Sequence, residues 1–495
     1  RRRPSRRLLA PNRRAAAHVG RRRGRRMLDW DELEQAEDKR KQDDISVDTF
    51  PGVEIRGVTD IVVPRGRSLR VYLISDVHVD YAANKQWLVG CLEQLDRECF
   101  NCLVLPGDVC DGEARLDDTL RIVADAFAVV CYCFGNHEAW VRGERNGDSP
   151  AKTSLEKLGR VHRICRASGV HVGPVRLVRE DSGERLLLLP LWSWYHSSWD
   201  CEPDLPEAMR PPVDPADRVV DYRLCRWTEL EEMQEFVFGG NRTSEVLAEF
   251  FATHNEAHIE EALSLLAKDG GELLTFSHFC PRIELILEKR HLFDQHVAQV
   301  SGSQVLERQI RRLQPVCHAF GHTHVPWDVV IDGIRYVQWG LGNVKERKGQ
   351  SMSVSQGGLL LLHDDGHWAP VQFTHWGCFH ADPAARAPGS ADLAPWVSAG
   401  YAQLYPQMAA ELQRRGLLVA PDGDGFAAYF PGGAGNNNLA YWARHRTEGA
   451  RWRCPPEHRE EQEFPCGAAG CLCCAFNAAQ AARPSAWWAG RPRPA

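Results

Sequence analysis

Short apolar runs in this chain end, five times over some 250 residues, in a block of carboxylate, amide or imidazole side chains. The blocks are Asp76-Val77-His78, Gly107-Asp108-Val109-Cys110-Asp111, Gly135-Asn136-His137-Glu138, Ser277-His278 and Gly321-His322-Thr323-His324. Apolar runs of this length are buried strands, so each block lies at or just past a strand end. Gly107, Gly135 and Gly321 each precede a candidate ligand, and glycine lets the chain turn sharply as it leaves a strand. Together the blocks offer three aspartates, one glutamate, one asparagine and five histidines, among them a ligand set for two hard-to-borderline metal ions. Two metals held ~3.5–4 Å apart form a device for in-line attack on phosphorus. A single Asp-x-His or His-x-His carries little; the order, the strands and the glycines carry the reading jointly.

The elements around the blocks define an α/β architecture. Arg70–Ser75, Asn101–Leu105 and Ala128–Cys133 read as strands, with helices over Asn84–Leu95 and Arg115–Ala126 between and around them. Trp87, Leu88, Cys91 and Leu95 recur at helical spacing. Alternation of strand and helix implies parallel pairing, which gathers ligands at the carboxyl ends of the strands. Further on, a helix is expected at Ser154–Ser168 and strands at Arg176–Arg179 and Leu186–Leu189, around the turn Asp181-Ser182-Gly183. A long helix follows at Thr243–Leu266, a strand at Leu273–Phe276, a helix at Gln304–Leu313 and a strand at Val316–Phe320. A hairpin over Val329–Ile331 and Tyr336–Trp339 turns at Asp332-Gly333, and Gly358–His363 is expected to close the second sheet. The fold is expected to be a two-sheet α/β/β/α sandwich. Residues 27–67 read as a partly helical acidic lead-in.

The five blocks, in this order, resemble the calcineurin-like metallophosphoesterase superfamily, with its D-x-H, G-D-x-x-D, G-N-H-E, lone H and G-H-x-H motifs, over about residues 68–375. The resemblance implies the superfamily's sandwich fold and an enzyme that hydrolyses phosphoesters with a binuclear metal centre and metal-bound hydroxide. It implies one metal held by Asp76, His78 and His324, another by Asn136, His278 and His322, and Asp108 bridging both. His137 would be a catalytic residue beside the phosphate, oriented by Asp111. Such donors suit two divalent ions of Mn, Zn or Fe rather than a thiolate site, and metal-bound water loses a proton near pH 7 in favourable cases. Asp111 has a second reading as a helix N-cap, since Ala114 onward looks helical.

Departures from the superfamily's branches narrow the substrate. Protein serine/threonine phosphatases of this kind carry G-D-x-V-D-R-G and R-G-N-H-E; here Gly112 and Phe134 stand where those arginines would be. A bidentate arginine is a specific clamp for a phosphate dianion, so its loss argues against phosphoprotein substrates. Purple acid phosphatases carry tyrosine where Asp111 stands. The remaining expectation is a small-molecule phosphoester. Around Leu189-Pro190-Leu191-Trp192-Ser193-Trp194-Tyr195 the chain also resembles uncharacterised plant- and cyanobacterial-type members. Two other readings stay open: a weakly catalytic binding scaffold, and a nuclease of the same fold.

Charge bears on the nuclease. Residues 1–26 hold 12 arginines and no acid, which leaves 48 basic against 66 acidic residues, net −18, in the rest. An acidic body does not suit a protein that tracks a phosphate backbone, so nucleic acid is not the expected partner. The arginine-rich start has the composition of a transit peptide, implying chloroplast or mitochondrion; read instead as a basic tail, it leaves a cytoplasmic protein. No apolar stretch reaches membrane-helix length. Cys102, Cys110, Cys131, Cys133 and Cys317, on or beside the core strands, imply a reducing interior.

The expected organisation is an N-terminal extension over 1–45, a phosphoesterase domain over 46–380, a linker over 381–395 and a C-terminal extension over 396–495. The last ends in Cys454, Cys466, Cys471, Cys473 and Cys474, whose spacing leaves metal binding, redox chemistry and an unstructured tail all open. Trp192, Trp194, Tyr195, Trp199 and Trp227 either wall a substrate pocket or fill a satellite core under a long loop. Asn343, Lys345 and Arg347 read as a solvated loop within reach of a substrate, and His318 as a strand residue without a role.

Overall fold

A computed structural model describes residues 57–142, 149–210, 219–227, 245–292, 294–344 and 358–372, with scattered positions from 374 to 414. Among the described residues, twelve strands form two sheets. The first holds β2 (Leu69–Leu73), β3 (Phe100–Pro106), β4 (Val129–Cys133), β11 (Leu360–Asp364) and β12 (His367–Trp368) in the order β12-β11-β2-β3-β4. The second holds β1 (Thr59–Val63), β5 (Val175–Arg179), β6 (Arg185–Pro190), β7 (Glu272–Phe276), β8 (Cys317–Phe320), β9 (Trp327–Ile331) and β10 (Ile334–Gln338), in the order β1-β5-β6-β7-β8-β10-β9.

Burial explains the pairing. Every residue of β3 and of β4 is buried, as parallel strands covered on both faces require, and β2, β3 and β4 pair in parallel. Strand β6 alternates between two environments. Leu186 and Leu188 join Leu73, Val104 and Cys131 in the core between the sheets, whereas Leu187 and Leu189 face Ile259 and Ile310 on the outside. Those two belong to α5 (Glu245–Asp269) and α6 (Gln304–Leu313). On the other side α1 (Ala82–Glu93), α2 (Glu113–Ala126) and α3 (Ser154–Ala167) place Leu88, Leu120 and Leu158 in the inner cluster. The layers are α/β/β/α, as the sequence implies. Ser303 caps α6 by accepting from Leu306 N–H, and the left-handed Gln314 ends it.

Two elements differ from expectation. Thr59–Val63, inside the stretch read as a helical lead-in, is a strand parallel to β5; only its last residue is buried, so its core signal is faint. Strand β11 does not close the second sheet but returns antiparallel to β2 in the first, Leu360 opposite Leu73. Its apolar run fits either sheet edge, and only the tertiary fold selects one. The turn at Asp332-Gly333 has both residues at positive φ, the backbone a two-residue hairpin demands.

Trp192, Trp194, Tyr195, Trp199 and Trp227 are all buried; they fill core rather than wall a pocket. Cys102, Cys110, Cys131, Cys133 and Cys317 are buried free thiols. In the stretch read as a linker, Arg386 donates to the Ile283 and Ile286 carbonyls, and Leu393 and Ala394 are buried against the body. Residues 1–45, Lys345, Arg347 and the five C-terminal cysteines lie outside the described residues. Among the described residues, no helix is long and apolar enough to cross a membrane.

Candidate metal centre

The carboxyl ends of β2, β3, β4, β7 and β8 converge, and loop-to-loop hydrogen bonds stitch them together. Asp76 N–H donates to Gly107 O, His78 N–H to Asp108 O, and Gly321 N–H to His278 O. Ser75 pairs with Gly340 beyond β10, which joins the two sheets at this end. The backbone here is strained: Asp76, His78, Asp108, His322 and His324 all have φ between 45° and 78°, a region costly for non-glycine residues and frequented at functional sites. The glycines serve in two ways. Gly107 has a left-handed φ of 80°. Gly135 and Gly321 matter for close approach, since a Cβ on the first would overlap the Asp108 carboxylate and one on the second would stand 2.8 Å from Asp76 Oδ2.

Six of the seven candidate ligands meet in two adjoining groups, and the seventh, Asn136, adjoins the second of them. In one, Asp76, His78, Asp108 and His324 bring ligand atoms within 4.8 Å of one another; in the other, Asp108, His278 and His322 do so. Asp108 is common to both, its Oδ2 lying 3.5 Å from His278 Nε2 and 4.0 Å from His78 Nε2. His78 and His324 face each other, Nε2 to Nε2, at 3.0 Å.

The second group shows the character of the donors. His278 Nδ1–H donates to Pro106 O at 2.9 Å, and His322 Nε2–H donates to Val300 O at 2.9 Å. Burial lowers both rings' pKa, His278 well below its usual value and His322 to about 3, so each is neutral and turns a lone pair inward. Asn136 commits its amide N–H to Asp221 Oδ1 at 2.9 Å, leaving its own Oδ1 inward, 3.0 Å from His278 Nε2 and 3.1 Å from His322 Nδ1. Three acceptors thus converge with no donor among them. Beside them, burial together with Glu138 and Asp76 pushes Asp108 well above the usual carboxylate range. Converging lone pairs and crowded acids are what a cation offsets. The donors are carboxylate, amide oxygen and imidazole, and burial holds the neighbouring Cys110 as a thiol well above its usual pKa, so the site fits a borderline or hard divalent ion.

His137 sits beside this cluster. Its ring nitrogen Nδ1 meets Asp111 Oδ1 at 2.5 Å, and its Nε2 is 3.7 Å from Asp108 Oδ2. Asp111 therefore orients the imidazole. It does not cap α2, whose N-cap is Gly112 without a side-chain bond. His318, expected to have no role, is buried in β8 between Thr275 Oγ1 and Ser277 Oγ. Asn343 is half-buried just past the Gly342 that binds Asp76 O.

Several supporting residues escaped the sequence reading. Glu138, although within the third block, was given no task. Its buried carboxylate accepts from the N–H groups of Gly135, Asp108 and Val109 at 2.7, 3.0 and 2.8 Å, fixing two ligand loops on one another, while burial pushes it up to about 7. Lys157 ties Asp111 O and Trp140 O together at 2.6 and 2.5 Å. Trp140 lies on the His137 ring with 3.6 Å between centroids. Arg142 stands 5.1 Å above Trp140 and reaches Asp111 Oδ2 at 2.5 Å. The pattern Trp140-Val141-Arg142 directly after a ligand block was the available signal. Next to the cluster opens a pocket of about 530 Å³, lined by His78, His137 and Asp111 on its floor and by Tyr81, Trp140, Arg142, Val220, Arg223 and Leu224 around it. It supplies an aromatic wall and the guanidinium groups of Arg142 and Arg223, with the Asp80 carboxyl among its lining.

A two-sheet sandwich whose strand ends hold such donors beside an open pocket defines a class, the metal-dependent hydrolases built on an α/β scaffold. A family model for calcineurin-like phosphoesterases matches residues 69–326, just over half of the chain. The chain belongs to that family and is a phosphoesterase, a hydrolase whose chemistry depends on divalent metal. Among solved structures it is similar to phosphopantetheinyl hydrolase from Mycobacterium tuberculosis, at 17% identity and a TM-score of 0.42, covering 62% of this chain and 99% of that one. It is also similar to TT1561 of Thermus thermophilus, at 10% identity and a TM-score of 0.31 over 60% and 97% of the two chains. A putative 5'-nucleotidase from Staphylococcus aureus matches at 12% identity and a TM-score of 0.29, over 55% and 48%. No protein of curated function matches the chain.

Proposed function

We propose that this protein hydrolyses a small-molecule phosphoester at a binuclear centre. Asp76, His78 and His324 hold one divalent ion, Asn136, His278 and His322 hold the other, and Asp108 serves both. The observation that carries this reading is the donor-free convergence of His278 Nε2, His322 Nδ1 and Asn136 Oδ1 within 3.0–3.2 Å of one another, next to a second group that shares Asp108. When bound, divalent ions draw in phosphoryl oxygens and make a water acidic enough to attack near neutral pH; the donors suit Mn, Zn or Fe.

The chain's own groups do the rest. His137 directs Nε2 toward the pocket while Asp111 fixes its other nitrogen, so His137 gives the leaving oxygen its proton or a polar partner. Trp140 covers the imidazole and holds it in plane. Arg142, 5.1 Å from the Trp140 ring and paired with Asp111, sets positive charge beside the floor and attracts the anionic substrate. A volume of about 530 Å³ takes a small molecule. The catalytic unit falls within 46–380, with the arginine-rich and cysteine-rich stretches as extensions.

Elemental analysis of the purified full chain, paired with a panel of phosphomonoesters and phosphodiesters assayed with manganese, zinc or iron, tests this. Two metal equivalents per chain and turnover of at least one panel member are expected. Protein that takes up metal yet cleaves no member would instead be a binding scaffold, and salt-sensitive DNA binding would bring back the nuclease.

A further inference from the structure

Asp221 lies far in sequence from every candidate ligand. It opens α4, a four-residue turn over Asp221–Leu224. Its side chain is buried, at 5% exposure, and it satisfies three donors. Oδ1 accepts from Asn136 Nδ2 at 2.9 Å and from Trp140 Nε1 at 2.5 Å, and Oδ2 accepts from the Tyr195 hydroxyl at 2.9 Å. The first bond decides which end of the Asn136 amide meets His278 and His322. Turned over, Asn136 would present N–H groups to two inward lone pairs, and the oxygen needed for a cation would face away. The second bond holds Trp140, the ring packed against His137 at a tilt of 34°. Two and three residues further along the same turn, Arg223 and Leu224 line the pocket.

We infer that Asp221 is a positioning residue: through Asn136 it presents an oxygen rather than a nitrogen to the ion shared with His278 and His322, a role which rests on the two-metal reading above. Outer partners that orient ligands are worth ~10–100-fold in metal affinity. Asp221 touches only one of the two ligand groups, so its loss should act on one ion and spare the other. Asn at this position keeps an acceptor for Asn136 and Trp140 and turns its amide N–H to the Tyr195 oxygen, which can accept. Ala keeps nothing.

The test is calorimetric titration of the metal-stripped full chain with Mn²⁺, alongside thermal melting. Wild type is expected to take two equivalents. D221A should keep one within about twofold and weaken the other ~10–100-fold, whereas D221N should stay within about threefold for both. Y195F, which removes a donor to Asp221 but not the Asn136 bond, should match wild type. Asp221→Leu fills a similar volume without an acceptor and stands in should the alanine chain not fold. Two equivalents bound by D221A with unchanged affinity would overturn the role of Asp221 alone. Equal loss of both ions in D221A and D221N, with a matching fall in melting temperature, would reduce it to general support and overturn it too. Wild type taking fewer than two equivalents would overturn the two-metal reading and this role with it.

Discussion

The floor of the site and its wall are built on opposite principles. The floor comes from strand-end residues that are close to one another in sequence block by block, seven side chains placed by hydrogen-bonded loops with little freedom. The wall comes from Tyr81, Trp140, Arg142, Val220, Arg223 and Leu224, on segments without a common motif. Tyr81 is 46% exposed, whereas Asp76 and Asp108 are all but inaccessible. A buried, fully determined floor fits chemistry shared across a family; an open, assembled wall fits choice of substrate.

That contrast is broken or sharpened by substitution on either side. Asp108→Ala should have the largest effect, since Asp108 belongs to both ligand groups: hydrolysis should fall to background and bound metal should drop together with it, as elemental analysis would show. An Asp108→Ala chain that keeps full metal and measurable turnover would contradict the shared role. Next, His137→Ala should lower kcat by ~10²–10⁴-fold with metal content intact; loss of metal instead would make His137 a ligand. On the wall, Arg142→Ala should raise KM about tenfold, equivalent to about 1.4 kcal/mol, and change kcat less. Arg223→Ala, at an exposed position on the pocket rim, should raise KM only a fewfold by the same scale. Equal kcat losses in the two arginine variants would erase the division between floor and wall.

The smallest effect lies outside the site. Burial lowers His162 and His363 to about 4 each. In the unfolded chain a histidine titrates near 6.5. The unfolded state therefore binds more protons between about pH 6.5 and 4, and stability must fall as pH drops through that window, while remaining fully present above it. Urea midpoints measured from pH 7.5 to 5 should decline, and His162→Leu should flatten the slope; an unchanged slope would show that His162 is not a source.

The contrast also explains what could be read from residues alone. Asp76, His78, Asp108, Asn136, His137, His278, His322 and His324 are legible because chemistry forces particular residue types into short windows after apolar runs. Strands β2 to β4 and helix α6 are legible because burial and helical spacing are local properties. Asp221 is not, and Arg142 is marked only by its place just after a ligand block, since an acid or a base gains meaning from what the fold sets beside it. Asp221 is 85 residues from Asn136, and nothing in Val219-Val220-Asp221-Tyr222 marks it. The buried tryptophans were ambiguous for the same reason: an aromatic in a long connection fits core or pocket equally well until its neighbours are known. Strand β1 escaped because it is largely exposed, and β11 was misassigned because its apolar run names no partner.

Five cage residues adopt a backbone twist that side-chain-bearing residues avoid, at about 1–2 kcal/mol each. None would hold that twist for its own sake. It is imposed from outside, by the Glu138 clamp, the paired loops and the crossing between sheets at Ser75. Harm to turnover can consequently originate in residues that never approach a substrate or an ion, so the region of the chain intolerant of change extends well past the atoms that react.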